Sequence, residues 1–109
     1  MTDKDLYGGL IRLHVLHHAG EEPIFGLGII EELRRHGYEL SAGTLYPMLH
    51  GMEKKGYLSS RSERHGKRSR RVYEITPQGR EALAVAKLKV MELFGELFED
   101  RADLPGPAA

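Results

Sequence analysis

The segment from Gly37 to Gly79 constrains the fold of this 109-residue chain more than any other part. It begins with a Ser-started apolar stretch, SAGTLYPMLHGMEKKGYL, and leads into a basic stretch, RHGKRSRRVYEITPQG. Apolar residues recur every three or four positions in the first stretch, which is typical of a helix with one buried face. Turn residues between two alternating segments predict a β-hairpin in the second. A short helix followed at once by a basic hairpin is how a small domain presents a helix to a DNA groove.

Charge is balanced over the whole chain but is distributed unevenly. The 16 basic and 16 acidic residues give a formal net charge of zero. Between Lys54 and Arg71, however, eight Lys or Arg residues accompany a single acid, Glu63. Local charge density controls counterion release, so this segment can bind phosphate groups despite the neutral total. A solvated charged loop is the alternative interpretation.

Composition excludes several classes of protein. The length predicts one domain. Cysteine is absent, which excludes disulfides, thiol nucleophiles and Cys-based zinc sites and fits a reducing cytoplasm. The apolar run from Leu10 to Leu16 is broken by Arg12 and His14, which argues against a membrane span. The chain has no Gly-rich phosphate loop, nucleophile elbow or paired carboxylates, so we expect neither an enzyme nor a cofactor.

Two helices are predicted before the constraining segment. The first covers residues 5–18, with an apolar stripe at Leu6, Leu10, Leu13 and Leu16. A short loop containing Pro23 follows. The second helix has its stripe at Gly26, Ile29, Ile30 and Leu33, and Gly37 ends it as the residue after the C-cap.

The third helix is predicted to start at Ser41, a good N-cap residue. Its inward face carries Leu45, Met48, Leu49 and Met52. Pro47 lacks an N–H donor and crowds the carbonyl of Gly43, so we expect a distorted first turn.

Two strands and a long helix complete the predicted fold. Strands are expected at 57–61 and 71–75 around a turn at 64–67, and Thr76 caps a last helix with Pro77 at its first position. The fold class is therefore mostly α with a small β-hairpin (α+β). We predict a winged helix-turn-helix at 1–76, a C-terminal dimerisation helix at 77–100 and a disordered tail at 101–109.

The last helix carries more apolar side chains than a three-helix module can cover. Its seam has the alternating three- and four-residue spacing of a coiled coil, widened by further apolar residues. A second chain would cover this surface and give a two-fold dimer, whereas packing on the first helix of the same chain is the alternative. The predicted dimerisation residues are Leu83, Ala86, Val90, Met91, Leu93, Phe94, Leu97 and Phe98.

The outward face of the third helix supplies the predicted DNA contacts. Thr44 and His50 can hydrogen-bond to base edges or phosphate, and the Tyr46 hydroxyl can reach phosphate. Pro47 can touch a thymine methyl group, and Ser41 can hold a phosphate at the helix N-terminus. A partly buried Tyr46 ring packed on the hairpin is the alternative for that residue. The remaining predicted DNA-binding residues are basic: Lys54, Arg64, Lys67, Arg68 and Arg70.

These segments resemble the PadR-like transcriptional regulators. The resemblance lies in GYELSAGTLYPMLHGMEKKGYL at 37–58, in RRVYEITPQGREAL at 70–83 and in the upstream LIRLHVLHHAGEEPIFGLGIIEEL. It implies a dimeric repressor of the compact subgroup, whose third helix enters the major groove and whose wing touches the flanking backbone or minor groove. Ser41, Thr44, Tyr46 and Pro47 match the recognition-helix motif, and Lys67, Arg68 and Arg70 match the basic wing.

The resemblance also implies a small aromatic effector bound between subunits, which we place near Phe94 and Phe98. Tryptophan is absent, so a pocket built on stacked indoles is not available.

Two other functions and one metal site are weighed against this interpretation. The chain could be a winged-helix protein-interaction module whose basic face binds an acidic partner, or a MarR-like regulator, although the longer chain typical of that class is missing. His14 and His18 lie four residues apart, a spacing that can bind zinc. With no cysteine and no carboxylate evident nearby, we expect no metal there.

Overall fold

A computed structural model describes residues 2–98, which form four helices and three strands. The predicted tail at 101–109 and the last two residues of the predicted dimerisation helix lie outside the described residues. The elements in chain order are α1 (Lys4–Glu21), β1 (Ile24–Phe25), α2 (Gly26–Arg35), α3 (Ala42–Lys54), β2 (Leu58–His65), β3 (Arg68–Ile75) and α4 (Pro77–Leu97).

The buried face of α1 is not the predicted one. Ile11, Val15 and Ala19 are buried, whereas Leu6 is 68% exposed and Leu10 is also exposed. Of the predicted stripe only Leu16 is buried. Apolar residues occupy more than one side of α1, so periodicity alone could not identify the side that meets α2 and α3. The leucines of the predicted stripe instead form part of the molecular surface.

The start of α3 is confirmed, and its first turn is more regular than predicted. The Ser41 side chain accepts a hydrogen bond from the Thr44 N–H at 3.3 Å. The Ser41 carbonyl accepts from the N–H groups of both Thr44 and Leu45, at 3.1 and 3.0 Å. The helix continues through Pro47. The four predicted inward residues are all buried: Leu45, Met48, Leu49 and Met52.

The turn between α2 and α3 depends on a glycine, as predicted. Gly37 has φ +93°, and the Tyr38 N–H donates to the Leu33 carbonyl at 2.9 Å. A left-handed glycine with this hydrogen bond back into the helix is the Schellman ending. It redirects the chain so that α3 follows α2 closely, as in a helix-turn-helix.

The sheet has three strands rather than the predicted two, in the order β1-β3-β2. Ile24 and Phe25, predicted to lie in a loop, pair antiparallel with Tyr73 and Val72. The hairpin is also longer than predicted, because β2 and β3 pair along their full length to His65 opposite Arg68. The outer part of the hairpin is rich in charged residues, so its sequence shows no alternation of apolar and polar side chains. The strands still pair there, because the hydrogen bonds between strands use only backbone groups.

The α4 helix begins at Pro77 behind the Thr76 cap, as predicted. Gly79 is buried at its start, where an added Cβ would collide with the Tyr57 carbonyl oxygen. Beyond this anchored end the helix packs on α1, and Gly79 is its one buried residue among those described. The molecule is elongated, 54 × 29 × 23 Å. No helix between residues 2 and 98 is long and apolar enough to span a bilayer.

Candidate nucleic-acid interface

The first turn of α3 forms a surface of small, mostly polar residues. Ser41, Ala42 and Gly43 are exposed, and Thr44 is half-buried. The Ser41 hydroxyl lies 3.3 Å from the Thr44 hydroxyl, so both oxygens take part in the cap. The space above Gly43 is open, with only the Ser41 hydroxyl oxygen within 4 Å of an added Cβ. A second macromolecule can therefore approach this backbone closely.

Tyr46 is held by packing against the start of α2. Its ring is half-buried against the core, and a Cβ built on Gly26 would collide with the ring and its hydroxyl. The side chain thus uses the glycine that opens α2, not the hairpin that the alternative interpretation proposed. His50 is exposed one turn later, with its ring 6.5 Å from that of Tyr46. A DNA contact by Tyr46 stays a prediction.

The α3 surface borders α1 along a polar groove. Thr44 and Pro47 line this groove together with Lys4 and Arg12 of α1. Lys4 and Arg12 lie 30 or more residues before the start of α3, so proximity in sequence could not assign these two cations to the interface. Asp5 lines the same groove, so the fold places two cations and one acid beside the first turns of α3.

The tip of the hairpin carries three cations. Gly66 has φ +65° and forms the two-residue turn with Lys67, a geometry that suits a hairpin. Arg64, Lys67 and Arg68 are exposed around it. Within residues 2–98, no carboxylate lies at ion-pair distance from any of these three side chains.

Cations nearer the base of the hairpin are paired within the protein. Arg61 donates to the Glu74 carboxylate at 2.7 Å and also meets Glu63 at 3.3 Å. Arg70 lies 3.6 Å from Glu63, and its guanidinium carbon is 3.9 Å from the centroid of the Phe25 ring. A phosphate or minor-groove contact by Arg70 stays a prediction, and in this structure its guanidinium lies over Phe25 of β1. The charge available to a ligand is therefore concentrated at the tip.

An apolar surface lies on α1 and α4, and we call it the α1–α4 face. A groove of about 540 Å³ runs between the helices, lined by Leu10, Leu13, Leu83, Val90 and Met91. Farther along α4, Met91 is 70% exposed and Phe94 is 56% exposed. Leu83 and Ala86 are half-buried, so the start of the predicted dimerisation seam packs within the chain. In the remainder of the seam Phe98 is half-buried and the other residues are exposed.

Comparison with known proteins identifies the family. A model of the transcriptional regulator PadR-like family matches residues 15–85. The chain belongs to this family. It is 43% identical over 96 residues to the transcriptional regulator Rv3488 of Mycobacterium tuberculosis, across 88% of this chain and 90% of that protein.

Solved structures of PadR-like regulators have the same fold. The PadR family regulator from Eggerthella lenta superposes with a TM-score of 0.78 at 27% identity, over 87% of this chain and 84% of that one. The PadR-like regulator BC4206 from Bacillus cereus gives 0.75 at 24% identity, over 88% and 98% of the two chains, a likeness of fold alone. The winged-helix prediction and the expectation of a regulator rather than an enzyme are confirmed.

The PadR-like fold places most predicted DNA-binding residues at the surface. Those of α3 span the helix from its cap to its last turn, and Lys54 is exposed at that last turn. A hydrogen bond of 2.6 Å from the Ser60 hydroxyl to Glu53 ties α3 to β2 and fixes the base of the hairpin. The α3 helix and the hairpin are thus linked directly at the base of the hairpin.

The histidine pair of α1 has partners that the sequence analysis missed. The His36 ring stacks on that of His14, with centroids 4.5 Å apart. Glu32 reaches the same place, with its Oε1 3.7 Å from Nε2 of His18. The expectation that no carboxylate lies nearby is therefore wrong. Burial, and after it the neighbouring His36, lowers the pKa of His14 below its usual 6.5.

Proposed function

We propose that this PadR-like regulator is a dimeric repressor that binds operator DNA through α3 and the hairpin. The third helix enters the major groove, and the tip of the wing contacts the flanking backbone or minor groove. The observation that carries the proposal is the group of three cations at the hairpin tip, Arg64, Lys67 and Arg68, none of which pairs with a carboxylate of residues 2–98. The protein is neutral overall, so this local charge is what a phosphate backbone would meet.

The shape of α3 supports groove binding. Its apolar side chains are committed to the core, and its outward side is small at the first turn. Thr44 and His50 can hydrogen-bond to base edges. Lys4 and Arg12 lie beside α3, where they can contact flanking phosphates. Phosphate contacts fix the register of the helix, and base contacts give it sequence preference.

Exposed apolar residues support the dimer. Leu6, Leu10 and the outer part of α4 form an uncovered face, and exposed apolar patches of this kind mark interaction sites. Val85 and Leu88, which were not assigned to the seam, are exposed on α4 as well. These two side chains add to the apolar surface that α4 exposes. A second copy can bury it through a two-fold axis, because each partner offers the same face.

Repression follows from occupancy, because a dimer bound across a promoter excludes other proteins from it. The aromatic effector stays a prediction. Phe94 and Phe98 lie with their ring centroids 5.0 Å apart on α4. A ligand stacked on them would change the packing of the dimer helices and hence the spacing of the two α3 helices.

The proposal is tested by fluorescence anisotropy with duplex DNA from the region upstream of the protein's own gene. A scrambled duplex of the same composition and two salt concentrations complete the set. We expect tighter binding to the native duplex and a steep loss of affinity with salt, about 0.9 in log affinity per log salt for each phosphate contact. The double variant Lys67→Ala/Arg68→Ala should reduce this slope.

Lys89→Ala is the matched control, because Lys89 is an exposed cation on α4, away from α3 and the hairpin. It should bind like the unmodified protein. Equal weak binding of both duplexes by all variants, together with capture of an acidic protein on the same basic surface, would replace the repressor with a protein-interaction module.

A further inference from the structure

We propose that α1 and α2 hold a divalent transition-metal ion of the zinc type, with His14, His18, His36 and Glu32 as ligands. The site lies apart from α3 and the hairpin, whereas His14 also lines the groove between α1 and α4. It is a property of the chain beyond DNA binding, and its test needs no DNA. Failure of one proposal therefore leaves the other standing.

The four side chains come from two matched helical pairs. His14 and His18 are four residues apart on α1, and Glu32 and His36 are four residues apart on α2. Residues at this spacing project from the same side of a helix. The packing of α2 against α1 directs both pairs to one place. One ligand atom from each of the three histidines can be chosen so that all lie within 4.8 Å of one another.

The distances suit one tetrahedral ion. Nε2 of His18 lies 3.3 Å from Nε2 of His36. Two nitrogens bound to tetrahedral zinc at about 2.0–2.1 Å are separated by about 3.3–3.4 Å. Oε1 of Glu32 is 3.7 Å from the His18 nitrogen and 3.6 Å from the His36 nitrogen. The three atoms therefore form one face of the required tetrahedron, and His14 has a ring nitrogen within 4.8 Å of those of His18 and His36.

The donor set selects the class of ion. Imidazole nitrogens with one carboxylate favour zinc, cobalt(II) or nickel(II), whereas calcium and magnesium prefer all-oxygen sites. The site is also accessible, because His18 is 15% exposed and His36 is 39% exposed as side chains. An ion can enter from solvent without opening the core.

Glu21 acts as a positioning residue for this site. Its Oε1 lies 3.6 Å from Nδ1 of His18, the ring nitrogen that does not face the cluster. Histidines that bind metals commonly donate their second N–H to a carboxylate, which fixes the tautomer and the ring orientation. Glu21 stands where such a partner is needed.

A metal-free account of the same atoms is a hydrogen bond between two neutral imidazoles. One proton between His18 and His36 would satisfy the 3.3 Å contact. That account does not use Glu32, which sits beside both nitrogens, nor the approach of His14 from the same helix side. Stoichiometric binding of metal separates the two accounts.

The test is titration calorimetry of chelator-treated, untagged protein with zinc chloride. We expect one ion per chain and a rise in melting temperature on addition of zinc. His18→Ala/His36→Ala should weaken binding by at least about a hundredfold, since it removes two of four ligands. His65→Ala is the matched control, because His65 is exposed at the hairpin tip. It should bind zinc like the unmodified protein.

Cobalt(II) gives an independent readout through the visible absorption of a tetrahedral complex. Glu32→Gln should weaken binding and alter this spectrum, and it serves if the double variant fails to fold. Glu21→Gln should weaken binding by about tenfold and keep the tetrahedral spectrum. Absence of stoichiometric zinc binding by the unmodified protein, or equal binding by the folded double variant, overturns the proposal.

Discussion

The helices α3 and α4 carry similar apolar stripes that end in opposite environments. In α3 the four predicted inward residues are all buried, whereas in α4 most of the predicted seam is exposed. The α3 helix is covered by α2 and by strand β2, with α1 close by. The α4 helix is anchored at Gly79 and then packs chiefly on α1.

The difference separates two kinds of surface on one small chain. Burial of its apolar side leaves α3 with a polar outer side, which is what a DNA groove can accept. The exposed stripe of α4 is a surface that needs a protein partner. The following substitutions test whether the two stripes differ in this way.

The largest effect is expected from truncating a side chain in the buried apolar stripe of α3. Leu49 has no exposed surface, so Leu49→Ala should lower the free energy of unfolding by about 2–5 kcal/mol. Chemical denaturation monitored by circular dichroism measures this loss. Leu97→Ala on α4 is the matched change, and its effect should vary with protein concentration. Equal, concentration-independent losses in the two variants would contradict the comparison.

A charge on the exposed stripe should separate the subunits. Leu97→Glu should raise the dimer dissociation constant by at least about thirtyfold, because the carboxylate would be buried in the interface. Analytical ultracentrifugation measures the constant. Leu27→Glu is the control, because Leu27 is 67% exposed on α2 and Leu97 is 59% exposed on α4. A monomeric unmodified protein would remove the proposed role of α4.

The hairpin shows a similar contrast between cations available to a ligand and cations already paired with carboxylates. Arg68 at the tip has no carboxylate at ion-pair distance in the described part of the chain, whereas Arg61 near the base is bound to Glu74 and Glu63. Arg68→Ala should weaken operator binding by about tenfold and reduce the salt slope by about 1.8 for one phosphate contact in each of two subunits. Arg61→Ala should leave the slope unchanged. Anisotropy at several salt concentrations distinguishes these outcomes, and equal slopes for the two variants would refute the assignment.

The smallest effect concerns the core beneath the hairpin. Tyr73 is fully buried, and its hydroxyl has no hydrogen-bond partner among the described residues. Tyr73→Phe should therefore leave the free energy of unfolding unchanged or raise it by about 1 kcal/mol at neutral pH. A loss of stability greater than this would show that the hydroxyl is hydrogen-bonded in solution.

The pH dependence of the same variant is a second measurement. Burial, and after it Glu53, raises the pKa of Tyr73 above its usual 10.0. The unfolded chain then loses its proton first, so the stability of the unmodified protein falls as pH rises above 10. Tyr73→Phe removes this contribution, and denaturation curves below and above pH 10 should show a smaller alkaline loss in the variant.

Local chemistry made much of the fold predictable. Ser41 and Thr76 cap their helices, Gly37 ends α2 and Gly66 forms the hairpin turn, because each acts on its own neighbouring backbone. The stripe of α3 was predictable for a similar reason, since all its apolar residues fall on one side. By contrast β1 has only two residues, and its pairing depends on Tyr73 and Val72 some 50 positions away.

The candidate functional sites also contain residues that the sequence could predict and residues that it could not. The basic tip of the hairpin could be predicted, because Arg64, Lys67 and Arg68 are close in sequence. The contact of Arg70 with Phe25 could not be predicted, since it depends on the distant strand β1. Likewise Lys4 and Arg12 reach the α3 surface only through the packing of α1.

The sequence by itself determined where the helices and the hairpin lie, which face of α3 is apolar and to which family the chain is similar. These properties depend on backbone caps, turn residues and side-chain period, which act over a few residues. Tertiary structure alone decided which face of α1 is buried, which cations stay free and how His14, His18, Glu32 and His36 meet. Such groups are joined by packing between elements, and the distances that packing sets are not encoded in any local pattern.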